Sequence, residues 1–141
     1  MNRQYVVDAS VILKWILGDE RESDQGKAMQ LLHTWVEGNV TISAPALWQF
    51  EVGNVMCRVI PEEAPEKMNL IVDLNIRSIA LTDQICRLCF NWMKTKGVTF
   101  YDAAYLAVAY DIQAMLVTAD ERFVKKIGKG DHLCLLKSID V

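Results

Sequence analysis

Five short, apolar, β-prone runs, each separated from the next by a stretch with helical spacing, constrain this chain more than any other feature. They lie at residues 4–7, 40–44, 77–80, 114–117 and 133–136. None alternates strictly between apolar and polar residues, so none reads as a strand with one face in water. Such runs suit a parallel sheet buried on both faces by helices. The expectation is an α/β protein, a three-layer α/β/α sandwich with right-handed crossovers. With 141 residues and no linker, repeat or low-complexity stretch, the chain reads as a single domain, 1–141, with one core.

Helices are expected at about 10–17, 23–36, 45–58, 66–73, 82–96, 101–110 and 121–127. Their punctuation is local. Gly18, Gly97 and the Gly38-Asn39 pair read as stops, and Pro45 reads as a first helical residue, where its missing N–H costs nothing. Pro61 to Pro65 reads as a break. The second helix carries Ala28, Leu31, Leu32 and Trp35 at helical spacing. Large residues such as Trp15, Leu31, Trp35, Trp48 and Trp92 either fill the core or leave an apolar patch that marks an interface.

A hydrophobic fraction of 52% with 23% charged residues is ordinary for a globular domain. The N-terminus, Met1-Asn2-Arg3-Gln4, has no apolar signal-like run, and no stretch approaches the ~20 apolar residues of a membrane span. The expected location is cytoplasmic, with no membrane partner. Cys86 and Cys89 form one C-x-x-C, but it lies in a helical stretch and has no second pair or pair of histidines to complete a zinc site. Buried free thiols are the expectation for all four cysteines. Net charge is −3, which argues against a blanket electrostatic grip on nucleic acid. Five basic residues between Glu121 and Lys137 (Arg122, Lys125, Lys126, Lys129, Lys137) face two acidic ones. They read equally as a solvated face or as a phosphate-binding strip.

Four acids carry the functional argument. Asp8 and Asp120 directly follow, or nearly follow, expected parallel strands, and in open α/β sheets ligands bind beyond the carboxyl ends of strands. Glu51 and Asp102 lie on helices after loops, where each can lean over the same crevice. Four oxygen donors suit Mg2+ or Mn2+. Each acid also has a plainer reading: Asp8 and Asp120 as helix caps, Asp102 as half of a capping box with Thr99, Glu51 as a polar stripe. Against this, Glu51 and Asp102 are flanked by apolar runs, where an unpartnered acid is costly.

The pattern resembles the PIN-domain nucleases, and in size and motif placement it is most similar to VapC-type toxins of toxin–antitoxin pairs. The matching pieces are Val6-Val7-Asp8-Ala9-Ser10, then Ala44-Pro45-Ala46-Leu47-Trp48-Gln49-Phe50-Glu51-Val52-Gly53-Asn54, then Thr99-Phe100-Tyr101-Asp102-Ala103-Ala104-Tyr105-Leu106-Ala107, and last Leu116-Val117-Thr118-Ala119-Asp120-Glu121-Arg122-Phe123. The resemblance implies a five-stranded parallel sheet of order 3-2-1-4-5. It also implies a catalytic and metal-binding quartet of Asp8, Glu51, Asp102 and Asp120, supported by hydroxyls from Ser10 and Thr118. Implied with these are endonucleolytic cleavage of RNA leaving 5′-phosphate ends, an antitoxin protein as partner, and a homodimer. Glu121, beside the fourth acid, is expected to point elsewhere.

Three other α/β chemistries fall on single residues. A haloacid-dehalogenase-type phosphotransferase needs Asp-x-Asp, and position 10 is serine. A metal-dependent adhesion module needs Asp-x-Ser-x-Ser, and position 12 is isoleucine. A phospho-receiver needs paired N-terminal acids. The surviving alternative is a catalytically silent PIN-fold scaffold that binds RNA or protein, and four retained acids argue against it.

Overall fold

The structure, a computed structural model, describes residues 3–18 and 24–141. Five strands form one sheet: β1 (Arg3–Val7), β2 (Val40–Pro45), β3 (Arg77–Ile79), β4 (Met115–Thr118) and β5 (Leu133–Leu135). All neighbours are parallel, in the order β3-β2-β1-β4-β5. Tyr5 of β1 pairs with Ile42 on one side and with Met115 on the other. Val6 and Val7 are fully buried, which is why the central run carries no polar alternation.

Among the described residues seven α-helices accompany the sheet: α1 (Ala9–Leu17), α2 (Gln25–Val36), α3 (Trp48–Val59), α4 (Ala64–Asp73), α5 (Asp83–Lys96), α6 (Phe100–Asp111) and α7 (Glu121–Ile127). The principal helix–helix contacts fall into two sets, α1 to α4 and α5 to α7. That division follows from right-handed crossovers running first towards β3 and then back towards β5. Helix α6 packs against β1, β2 and β4, and Ala103 to Ala109 are buried without interruption. Its apolar character on every side is that of a core helix. Among the described residues no helix is long and apolar enough to cross a membrane.

Local signals explain the element ends. Gly18 and Gly97 close α1 and α5 with φ of 57° and 67°, a region that favours glycine. Thr82 and Thr99 cap α5 and α6 through their side chains. The expected start of the second helix at Ser23 lies outside the described residues, as does most of the charged cluster preceding it.

Three expectations are corrected. Pro45 is the last residue of β2, paired with Ile79, and α3 starts only at Trp48. Proline is tolerated there because the next ladder bond is donated by Ala46, whose N–H reaches the Ile79 carbonyl at 3.1 Å. Pro65 is not part of a break but sits in the first turn of α4, which tolerates a missing N–H. The cysteines are all free, but only Cys89 is fully buried, with its thiol pushed up to about 11 by burial. Cys57 is exposed on α3.

The large residues resolve mainly to core. Trp15, Leu31 and Trp48 are buried, while Trp35 and Trp92 are half-buried. The Trp15 indole N–H donates to the Ala28 carbonyl at 2.8 Å and its ring stacks on Trp35. The exposed apolar surface comes from other residues, led by Phe50 at 80% exposure.

Candidate active site

The chain order leaves β1 towards β2 on one side and returns at β4 on the other, so β1 and β4 flank the switch point of the sheet. Crevices beyond strand carboxyl ends form at such points. Asp8 stands at the end of β1 and caps α1, accepting the Ser10 amide at 3.0 Å. The Ser10 hydroxyl donates to the same carboxylate oxygen, and the Thr118 hydroxyl, from the end of β4, donates to the other. Each hydroxyl is itself held by a backbone amide. Ala119 donates to Ser10 Oγ at 3.1 Å and Asp120 donates to Thr118 Oγ1 at 3.0 Å. One carboxylate thus fastens the β1–α1 junction to the β4–α7 junction.

Burial pushes the Asp8 carboxyl up to about 6, against the pull of the Ser10 and Thr118 hydroxyls and the Val11 and Ser10 amides. The residue retains some solvent contact, but the groups packed around its carboxylate desolvate it. Burial wins over several good donors, so the charge is held there at a cost.

Asp120 caps α7 through the Phe123 amide at 3.1 Å. Asp102 occupies the first turn of α6, where its amide donates to Thr99 Oγ1 at 3.1 Å. The flanks of Asp102 are buried, but the residue itself is exposed at the mouth of the helix. Desolvation raises its carboxyl first, and the nearby Asp120 charge raises it further; Thr99 and Lys126 pull it back. Glu51 is half-buried in the first turn of α3. Burial raises its carboxyl most and Asp102 adds to this, while a hydrogen bond from Tyr105 lowers it.

Asp8 and Asp120 thus stand at two strand ends and Glu51 and Asp102 in the first turns of α3 and α6, and their charges act on one another or on the shared Tyr105. Asp102 feels Asp120, Glu51 feels Asp102, and the Tyr105 hydroxyl is raised by Glu51, Asp8 and Asp102 after burial itself. Capping and clustering are not alternatives here: Asp8 and Asp120 do both. Glu121 points away and pairs with Lys137 on the surface.

Oxygen donors in mutual repulsion are the donor set of a hard divalent cation. Among the described residues no three ligating side chains enclose a ready-made cage. An open arrangement of this kind fits Mg2+ or Mn2+, which keep several waters and take substrate oxygens to complete their shell.

A family profile, the PIN domain, matches residues 5–129. The chain belongs to the PIN-domain family. No curated protein matches its sequence. Solved structures show the same fold at low identity. A toxin–antitoxin complex from Klebsiella pneumoniae is 14% identical with a TM-score of 0.71, covering 96% of this chain and 99% of that one. VapC20 of Mycobacterium tuberculosis, a toxin that cleaves the sarcin–ricin loop, is 17% identical with a TM-score of 0.64, covering 86% and 93%. VapBC2 of Rickettsia felis, bound to a DNA fragment from its promoter, is 16% identical with a TM-score of 0.65, covering 94% and 96%.

One member of this PIN-domain site escaped the sequence reading. Tyr105 is buried, and its hydroxyl donates to Glu51 Oε1 at 2.7 Å, bridging α6 to α3. The available signal was a phenol amid Ala, Leu and Val on a buried helix, three residues after Asp102. A buried hydroxyl demands a partner.

Proposed function

We propose that this PIN-domain protein is a metal-dependent endoribonuclease, acting as the toxin of a toxin–antitoxin pair. The observation carrying the reading is the chain of neighbouring acids: Asp120 acts on Asp102 and Asp102 on Glu51, while Tyr105, hydrogen-bonded to Glu51, also feels Asp8. Asp8, Glu51, Asp102 and Asp120 would hold Mg2+ or Mn2+. When bound, such an ion activates water and neutralises charge building on a phosphate.

The chain's own residues do the positioning. Ser10 donates to one oxygen of Asp8 through both its amide and its hydroxyl, and Thr118 donates to the other, fixing the plane of the carboxylate with its remaining acceptor capacity on the Thr118 side. Tyr105 donates to one oxygen of Glu51. No histidine lies among these residues, so no side-chain imidazole serves as the base. RNA as the substrate is supported by the resemblance to VapC20, and an antitoxin partner by the complexes among the structural relatives.

Purified protein is expected to cut single-stranded or loop-containing RNA slowly in Mg2+ or Mn2+ and not in excess EDTA. Ser10→Ala, Thr118→Ala and Tyr105→Phe are each expected to slow cleavage by about 10- to 100-fold, the range for losing a hydrogen bond behind a metal ligand. Cys86→Ala and Cys89→Ala should leave the rate nearly intact. Cleavage unaffected by EDTA would sink the reading.

A homodimer is part of the same proposal. Exposed Leu81 rims an apolar hollow of about 170 Å3 lined by Leu47, Ile85 and Phe100, with exposed Phe90 packed against Phe100. Light scattering at tens of micromolar should give twice the chain mass of 16.0 kDa; a monomer there overturns it.

A further inference from the structure

The five basic residues between Glu121 and Lys137 separate by position. Lys137 is paired with Glu121, and Lys125 stands near that pair. Arg122 and Lys126, one turn apart on α7, instead line a cleft of about 170 Å3 together with Asp102 and Asp120, with Phe123 as part of its wall. Neither Lys125 nor Lys129 lines it.

Resting on the ribonuclease reading, we infer that Arg122 and Lys126 bind an RNA backbone phosphate adjacent to the one placed at the carboxylates. Two charges of each sign share this cleft, yet among the described residues neither cation forms an ion pair with either acid. Lys126 is steadied by the Gly97 carbonyl at 3.3 Å, at the end of α5, and among the described residues no hydrogen bond engages Arg122. Cations present only to neutralise Asp102 and Asp120 would close onto them. Unpaired, though Lys126 is near enough to lower Asp102, the two signs match a two-part ligand: a phosphate drawn to the carboxylates through a bound cation, and the next phosphate drawn directly to α7. Arg supplies a planar fork that fits phosphate oxygens, and Lys adds a mobile point charge. With a net charge of −3, the chain as a whole repels RNA, so attraction has to be concentrated in such a place.

The test measures binding of a labelled single-stranded RNA by anisotropy across a salt series, using an Asp8→Asn background to prevent cleavage. Arg122→Gln/Lys126→Gln is compared with Lys125→Gln/Lys129→Gln, which removes the same charge from the same segment outside the cleft. The first pair is expected to weaken binding about tenfold near physiological salt. It should also flatten the slope of log affinity against log salt by about 1.4, two contacts at roughly 0.7 each. Arg122→Gln alone should give about half that change in slope. In the chain with Asp8 intact, the first pair should raise KM and leave kcat largely unchanged. Equal losses from both pairs, or no loss from the first, overturn the inference. If the wild-type chain cuts RNA in Mn2+ and Arg122→Gln/Lys126→Gln cuts with the same KM, the inference fails alone. If the wild-type chain neither binds nor cuts RNA, the ribonuclease reading fails with it.

Discussion

Asp8→Asn or Asp102→Asn is expected to reduce metal-dependent RNA cleavage by on the order of 10³-fold or more. Each change removes a unit charge and an oxygen ligand together. At an effective dielectric near 20, one charge ~4 Å from another contributes about 4 kcal/mol, and that loss in the transition state corresponds to roughly three powers of ten in rate. Asp8→Asn carries a second penalty. Both oxygens of Asp8 accept hydroxyl protons, from Ser10 and Thr118, and asparagine keeps only one acceptor oxygen, so one of the two hydroxyls loses its partner. Asp102 has fewer ties, so its replacement tests charge and ligation with little rearrangement. Glu51→Gln and Asp120→Asn should fall less far, since water can bridge those positions to an ion. Asp120→Asn also keeps its cap, because the amide oxygen still accepts the Phe123 N–H. Unchanged circular dichroism would separate these effects from misfolding. Co-purifying ribonuclease is active without metal, so cleavage that survives both EDTA and Asp8→Asn belongs to a contaminant. That outcome would leave the chain without an assigned activity.

The sequence disclosed most where a signal is confined to a few residues. Strand runs, the glycine stops at Gly18 and Gly97, and the Thr82 and Thr99 caps depend on neighbours within one turn, and they sit where the pattern puts them. Pro45 shows the limit of that logic. A proline after a β-prone run reads the same whether it ends a strand or starts a helix. Only the register with β3, where Ala46 donates in its place, decides. Helix-face burial was similarly ambiguous. Helical spacing predicts Phe50 buried with Leu47, Val52, Val55 and Met56, and the structure buries Val52 and Met56 but leaves Phe50 80% exposed.

The candidate site was legible as a set of acids with Ser10 and Thr118 beside it, the two hydroxyls only through the family resemblance, and the Tyr105 contact was not legible at all. Asp8 and Asp120 could be placed from strand ends alone. The contact of Tyr105 with Glu51 spans 54 positions of chain, and the clasp of Thr118 on Asp8 spans 110. Nothing local announces such contacts. The basic strip is the same case. Five cations in sequence do not say that one is spent on Glu121 and that two turn towards Asp102 and Asp120. That division depends on how α7 lies against the end of α5, which is a property of the packed fold.

In metal-free buffer the protein is expected to become less stable as pH rises from about 4 to about 6, the reverse of ordinary acid denaturation. The sign follows from Asp8. Its folded carboxyl is pushed up to about 6 by burial, against about 3.9 in an unfolded chain. Between those values the native state binds more protons than the unfolded state, so unfolding free energy falls with rising pH. Above pH 6 both states are ionised and the loss is complete, on the order of 3 kcal/mol. Glu51 and Asp102 are raised as well and act in the same direction. Glu121, lowered by Lys137, acts oppositely, but exposed pairs contribute little. Mg2+ or Mn2+ should reverse the cost, because a cation bound to the ionised carboxylates stabilises the folded chain by mass action. Protons compete for the same oxygens, so the rise in melting temperature with Mn2+ should amount to several degrees at pH 7.5 and shrink markedly by pH 5. Asp102→Asn should melt higher than the parent in EDTA at pH 7.5 and lose most of the Mn2+ response, since it relieves the repulsion by removing one of its sources. Calorimetry on the two chains at both pH values, with and without Mn2+, decides the matter. A parent midpoint that ignores Mn2+ at pH 7.5, or an Asp102→Asn chain that responds as fully as the parent, would mean that the four carboxylates do not share one cation site.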